Sequence, residues 1–515
     1  MDFLRIKNVR SIEDSGTVEV KPITVIAGRN SCGKSSFLRM FPLLKQTIEK
    51  RVSEPILWYG DYVDFGEYYE VINKKHKGEC IQLEFGLTNN SEHIRWRYYE
   101  SIEDVRIKLF VTEKLIERVE IRFKDQKMRM DLGGKNGKIQ RLLIDDMENI
   151  IDSAGLVARR NYGEIIPRIL REREGDFYAR YYSSHLRGID EESKIIDILK
   201  GMAGPNTRRV NIMRDIRQRM RLGSKREVLA NLQSINFSSR ILKKRLSTLQ
   251  LEDEEFVNIN AHFIGEMFSE VIDIANIMLR EEINNISYIK PIRAMVNRYY
   301  RVQGVSVNEL DSDGSNLPMI LHNMSQKMLK DFEKWTLDTF GVVFSVKSVA
   351  GHVSLIIKET VDSKESINMA DTGYGYSQIL PIIVLLWNIK QKKNEGDLPL
   401  KTIVIEQPEL HLHPALQGKL IDVLVYVVEE ARKNNVLIKI IFETHSETMI
   451  NRLGYLVAKN YVSKEKINIL IFDKINGTAK IRTAKFKENG ALEDWPLGFF
   501  LPEPKEKIIR LEEEK

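Results

Sequence analysis

Gly28-Arg29-Asn30-Ser31-Cys32-Gly33-Lys34-Ser35 has the spacing G-x-x-x-x-G-K-S, which suits a loop that holds phosphate. Its glycines let the backbone curl until successive N–H groups converge on phosphate oxygens. A helix beginning there adds partial positive charge, Lys34 reaches toward the β- and γ-phosphates, and the Ser35 hydroxyl can ligand Mg²⁺. The residues assigned to nucleotide are therefore Gly28, Asn30, Ser31, Cys32, Gly33, Lys34, Ser35 and Ser36. The alternative is a chance match in a Gly/Ser turn. Against it stand the apolar run Ile23–Ala27 before the loop and the helical pattern after it. Cys32 reads as a small loop residue, with redox control through a thiolate as the other reading.

Three later stretches carry complementary chemistry. Lys401-Thr402-Ile403-Val404-Ile405-Glu406 is an apolar strand ending in a carboxylate, the layout that puts an acid at the C-terminal edge of a parallel sheet. Glu406 there can orient Mg²⁺ through water. Val436–Phe442 is a second such strand, ending in Glu443-Thr444-His445-Ser446; His445 can sense the γ-phosphate or position water, or be a structural histidine. Gly373-Tyr374-Gly375-Tyr376-Ser377-Gln378 opens an apolar helix over Ile379–Trp387. It reads as a second anion-binding site made by Gly373, Gly375, Ser377 and Gln378, or as a plain turn with a capping serine.

Elements must bring these stretches together across a 515-residue chain, which exceeds one ordinary core. Residues 1–140 read as an N-terminal segment of short strands, the phosphate loop and an antiparallel β lobe with period-2 runs such as Cys80–Phe85 and Val119–Phe123. Residues 141–283 turn to helical periodicity and read as an inserted helical domain, followed by a C-terminal segment over 284–500 and a charged tail over 501–515. The fold class expected is α/β: a phosphate-loop sheet with an antiparallel lobe, interrupted by an α-helical insertion. A helix is expected around Leu317–Phe340, then strands over Val342–Val346 and Val353–Ile357.

The insertion is rich in arginine: Arg159, Arg160, Arg168, Arg171, Arg173, Arg180, Arg187, Arg208, Arg209, Arg214, Arg217, Arg219 and Arg221, with Tyr162, Phe177, Tyr178, Tyr181 and Tyr182 interleaved. Such a surface can grip the phosphates of DNA or RNA, or serve as solvated helix faces paired with local Asp and Glu. Arg293 and Arg298 can approach nucleotide or pair with carboxylates. The formal charge of +6 is small for the length. The 43% hydrophobic and 30% charged content is that of a folded globular chain. Two cysteines without ligand spacing, no signal-peptide layout and no apolar run near ~20 residues point to the cytoplasm and away from a membrane partner.

The order of these motifs resembles the ABC-type ATPases of the SMC, RecF and OLD (overcoming lysogenization defect) group. Ile405-Glu406-Gln407-Pro408-Glu409-Leu410-His411-Leu412-His413-Pro414 and Glu443-Thr444-His445-Ser446-Glu447 look most like the OLD-like AAA ATPases of prokaryotic defence systems. Trp495-Pro496-Leu497-Gly498-Phe499-Phe500 resembles the C-terminal signature of one branch of them. The resemblance implies a head-type ATPase that binds ATP and Mg²⁺ and closes as a homodimer or higher homo-oligomer. Each nucleotide would lie between one phosphate loop and the Gly373/Gly375/Ser377 segment of the other subunit. Ser35 and Glu406 would serve the metal, and His445 would be the switch histidine.

The resemblance also implies a sensor or scaffold in anti-phage defence that controls a separately encoded effector, a nuclease or toxin; a RecF-like DNA-repair ATPase and a slowly turning structural protein are the other readings. Gln407 departs from the pattern, because a glutamine cannot accept a proton where these enzymes carry a glutamate. Slow hydrolysis, substitution by Glu409 or His445, and an introduced residue stay open. The Toprim nuclease domain of some OLD proteins has no counterpart after His445. Asp311-Ser312-Asp313 has the acidic spacing but lacks the strand context.

Overall fold

A computed structural model describes residues 1–52, 54–88, 102–134, 137–148, 156–171, 191–205, 207–217, 220–302, 309–391 and 401–495. Two compact units make up the chain, one of Met1–Val18 with Leu43–Asn284, the other of Glu19–Pro42 with Asn285–Lys515.

In the first unit, strands that alternate apolar and polar residues build a large antiparallel sheet. Its order runs Arg168–Arg171, Leu156–Arg159, Lys138–Ile144, Gln126–Gly133, Ile116–Phe123, Asp104–Val111, Ile81–Thr88, Phe3–Val9, Ile12–Asp14. Val105, Ile107, Leu109, Val119, Ile121, Met128 and Met130 are buried, so one face of the pleat forms core. The helix Phe268–Asn284 packs on it, with Val271, Ile272, Ala275, Met278, Leu279 and Ile283 buried at helical spacing. Asn276 satisfies both the N–H and the C=O of Ile166 at 3.0 and 2.9 Å, which removes the cost of burying that amide.

The sheet therefore continues past residue 140, through Arg171, and among the described residues the helices of the expected insertion begin at Glu191. Short strands flanked by turns gave the sequence too little period-2 signal there. The antiparallel lobe and the helices share one unit, whereas the phosphate-loop segment belongs to the other. The reason is pairing: Ile23–Gly28 forms ladders with Ile438–Glu443 and Ile467–Ile475.

The second unit holds a sheet in the order Ile286–Ile289, Lys401–Glu406, Ile438–Glu443, Ile23–Gly28, Ile467–Ile475, Thr478–Phe486, Leu492–Glu493, the first five strands parallel. Ile23 through Gly28 is buried throughout, as are Ile403–Glu406 and Ile440–Glu443, which is the mark of a sheet covered on both faces. Helices Tyr374–Gln391, Pro414–Lys433 and Glu447–Ala458 follow the pattern of strand then helix. His413 and Ser446 cap the last two, each side chain accepting from a backbone N–H in the first turn.

The expected helix over 317–340 is two, Leu317–His322 and Gln326–Phe340, because Ser325 caps a fresh start. Strands Val343–Val349 and His352–Lys358 follow, near their expected places. Among the described residues no helix is long and apolar enough to cross a membrane.

Candidate functional site

The phosphate loop joins the buried strand Ile23–Gly28 to the short helix Lys34–Leu38. Two glycines shape it. Gly33 precedes the helix at φ 97°, and a Cβ on Gly28 would lie 2.4 Å from the Phe472 carbonyl oxygen, so only glycine fits against the neighbouring strand. Ser31 takes φ 60°, part of the same curl, and Phe37 anchors the helix against Phe472. Asn30, Cys32 and Ser36 fall on the loop and first helical turn, where the sequence puts them. The Cys32 thiol is buried and its pKa pushed up by that burial, which makes it the unreactive loop residue of the two readings.

Lys34 is 4% exposed; its Nζ donates to the Arg29 carbonyl at 2.7 Å and lies 3.8 Å from Glu443 Oε1. The Ser35 hydroxyl donates to Glu443 Oε2 at 2.8 Å. Burial pushes the lysine pKa down and the Glu443 pKa up, each outweighing the attraction between the two. The acid touching the phosphate-loop residues is thus Glu443, which the sequence reading did not assign. Its place at the end of an apolar strand is visible in the sequence, but its register with Glu406 and its position beside the phosphate-loop strand are not.

Glu406 is buried and fully engaged. Arg39 grips both of its oxygens at 2.8 Å, and Tyr288 donates to Oε1 at 2.6 Å. The partnership raises the Arg39 pKa, while burial and the Glu406 charge raise that of Tyr288. Neither Arg39 nor Tyr288 could be found by motif, since one follows the helix Lys34–Leu38 and the other lies in the strand Ile286–Ile289, far apart in sequence.

The turn after Glu406 is held by its backbone. Gln407 sits at φ 43° and donates its N–H to the Glu443 carbonyl at 3.0 Å. Arg293 donates to the carbonyl oxygens of Glu406 and Gln407, at 3.0 and 3.3 Å. Of the two readings for Arg293, neither holds in simple form: it serves the backbone of this turn, and burial lowers its pKa to about 10. Arg298 pairs with Asp371, the carboxylate reading.

Glu409 Oε1 accepts from the His445 N–H at 2.7 Å, and burial raises the Glu409 pKa. Its Oε2 and Arg293 Nε are buried without hydrogen-bond partners. His445, half-buried, has Nε2 4.0 Å from Glu443 Oε1; burial first, then Lys34, lowers its pKa, so the neutral ring is favoured. The structure therefore gathers Lys34, Ser35, Glu406, Gln407, Glu409 and His445 on one sheet edge.

The Gly-rich segment differs from expectation in detail. The helix starts at Tyr374 instead of Ile379, so Gly375, Ser377 and Gln378 lie inside its first turns. Ser377 donates back to the Tyr374 carbonyl at 2.7 Å, which replaces the capping role. Gly375 lies against His411, a Cβ there being 3.2 Å from the His411 carbonyl oxygen, while Gly373 has open space where its Cβ would be.

Several arginines of the first unit are structural. Arg160 donates to the carbonyls of Pro55 and Val52, Arg168 pairs with Glu164 and Asp273, and Arg209 pairs with Asp197. Arg173, Arg180, Arg187, Arg219, Phe177, Tyr178, Tyr181, Tyr182 and Pro496–Phe500 lie outside the described residues. Asp311 and Asp313 accept from Ser315 in a turn.

The donors fit a magnesium nucleotide: one hydroxyl and strand-end carboxylates suit an ion that keeps water and phosphate as its other ligands. Among the described residues no group of three or more His, Cys, Asp or Glu is placed to hold a metal alone.

A sheet with a phosphate loop between strand and helix, acids at the neighbouring strand ends and a histidine beside them defines a nucleotide-binding ATPase domain. The family model for the AAA ATPase domain matches residues 1–450, and the chain belongs to that family. No curated protein matches it.

Among solved structures, the Smc head bound to the C-winged helix domain of ScpA is similar at 11% identity and TM-score 0.36, covering 94% of this chain and 98% of that one. The Pyrococcus furiosus Smc head with an extended coiled coil, bound to the C-terminal domain of ScpA, gives 12% and 0.35, covering 100% and 98%. The SMC head domain from Thermotoga maritima gives 9% and 0.33, covering 94% and 99%.

Proposed function

We propose that the protein is an ATP-hydrolysing sensor or scaffold of the OLD-like branch, acting in prokaryotic anti-phage defence and controlling a separately encoded effector through nucleotide-dependent assembly. The observation that carries the ATP part is the convergence of Lys34 and Ser35 on a carboxylate at the parallel strand ends. The defence role rests on the resemblance of Ile405–Pro414 and Glu443–Glu447 to that branch.

In this reading the loop amides from Asn30 to Ser36 hold the triphosphate and Lys34 neutralises its charge. Mg²⁺ would be held by Ser35 and a strand-end acid, and its chemistry is to spread the charge that develops on the phosphoryl oxygens. His445, kept neutral, can accept a hydrogen bond from water, and Glu409 fixes its backbone. Gln407 orients water without taking its proton, which makes turnover slow. Gly373, open on its Cβ side, is available to a second subunit. ATP then joins two heads, and the effector reads the joined state.

Copurification with neighbouring-gene products tests the role. A complex that forms with the native chain and changes with Lys34→Ala supports it; a chain that never retains such a partner refutes it. The DNA-repair alternative calls on Arg208, Arg209, Arg214, Arg217 and Arg219, of which Arg209 pairs with Asp197; salt-sensitive DNA binding that rises with ATP would favour it.

A further inference from the structure

The acid that the sequence motif assigns to the metal and the acid that touches the phosphate-loop serine are different residues. Glu406 ends the strand Lys401–Glu406, which pairs with Ile438–Glu443 and not with the phosphate-loop strand. Glu406 is 2% exposed and each of its oxygens accepts a hydrogen bond, Oε1 from Arg39 and the Tyr288 hydroxyl and Oε2 from Arg39. A bidentate guanidinium pair out of water is costly to open, because each charge left alone is desolvated.

Glu443 stands one strand closer, opposite Ile26 of the phosphate-loop strand. Its Oε2 is 2.8 Å from Ser35 Oγ and its Oε1 is 3.8 Å from Lys34 Nζ. Neighbouring oxygens around an octahedral Mg²⁺ are about 2.8–3.0 Å apart, given metal–oxygen distances of about 2.0–2.1 Å. The Ser35–Glu443 oxygen pair already has that separation. Arg39 keeps Glu406 from offering a comparable pair, and the Ser35 hydroxyl is turned to Glu443.

Resting on the nucleotide-site reading above, we infer that Glu443, one strand over from the motif acid, is the carboxylate on the metal side of the site. Glu406 is a positioning residue. Through its side chain it fixes Arg39 and Tyr288, and through its carbonyl it receives Arg293, so it sets the turn that carries Gln407 and Glu409.

The test is the Mg²⁺ contribution to ATPγS affinity, measured by titration calorimetry in MgCl₂ and in EDTA on the full chain and two isosteric variants. Glu443→Gln is expected to erase most of the Mg²⁺ gain, a loss on the order of 10–100-fold as for removal of a metal-orienting group, with affinity in EDTA retained. Glu406→Gln is expected to keep the Mg²⁺ gain and lower the melting temperature. Loss of that gain in Glu406→Gln, or its survival in Glu443→Gln, overturns the inference. Each variant is decisive alone, so a failure of one to fold leaves the other as the test. Absence of any ATPγS binding by the native chain would instead overturn the ATPase reading itself.

Discussion

Glu406 and Glu443 are register partners at the ends of adjacent parallel strands, yet each is held by a different cation, Glu406 by Arg39 and Glu443 beside Lys34. Two buried carboxylates side by side would repel, and each cation offsets one of them. The division separates a braced acid from one that faces the phosphate loop. Several measurable consequences depend on it.

The brace around Glu406 should register in stability. Arg39→Ala leaves Glu406, 2% exposed, without its cation and is expected to cost about 3 kcal/mol. Tyr288→Phe removes one hydrogen bond to a charged group and should cost about 1.5 kcal/mol. Chemical denaturation of the two variants checks this; native-like stability in Arg39→Ala would show that Glu406 does not depend on the pair.

His445 gives a pH signature. Its folded-state pKa lies below the ordinary 6.5, so the unfolded chain binds more protons and stability rises with pH. As pH falls from about 7.5 through the ordinary histidine value and then the folded one, this residue withdraws stability. His445→Asn should flatten that part of the melting-temperature profile. An unchanged slope would mean that the ring is not held neutral.

Two glycines separate a steric requirement from an assembly requirement. Gly28→Ala forces a Cβ against the Phe472 carbonyl oxygen, 2.4 Å away, and should lower the melting temperature and weaken ATPγS binding. Gly373→Asp meets open space within its own chain and should melt as the native protein does. On the proposed two-head arrangement it should nevertheless abolish nucleotide-driven association. Dimers of Gly373→Asp equal to the native ones would remove this segment from the interface.

Gln407 sits on a backbone turn fixed by Glu443 and Arg293, so Gln407→Glu changes chemistry more than shape. Supplying a proton acceptor there should raise kcat by about 10²-fold, the lower end of what a general base provides. A wild type that already turns over at ordinary rates, unaffected by the change, would assign the base to another residue.

The phosphate loop, the acidic strand end and the histidine strand were legible because each is local: a strand, a fixed spacing and a helix within one short window. The α/β class was legible from the same runs. Arg39, Tyr288 and Glu443 were not, since their roles come from strand order and register, which a single sequence does not display. The reach of the antiparallel sheet to Arg171 was hidden by its short last strands, Leu156–Arg159 and Arg168–Arg171. The arginine count left two readings open, because composition does not show that Arg160 spends its donors on the carbonyls of Val52 and Pro55.

The central claim is a nucleotide site built by residues near 30 and residues 406–445 that gates assembly. Sedimentation velocity of the native chain and Lys34→Ala, each with and without ATPγS, tests it most directly. The expected result is association of the native chain only with nucleotide, and none in Lys34→Ala. A sedimentation coefficient that ignores ATPγS, or association that survives the loss of Lys34, would contradict it.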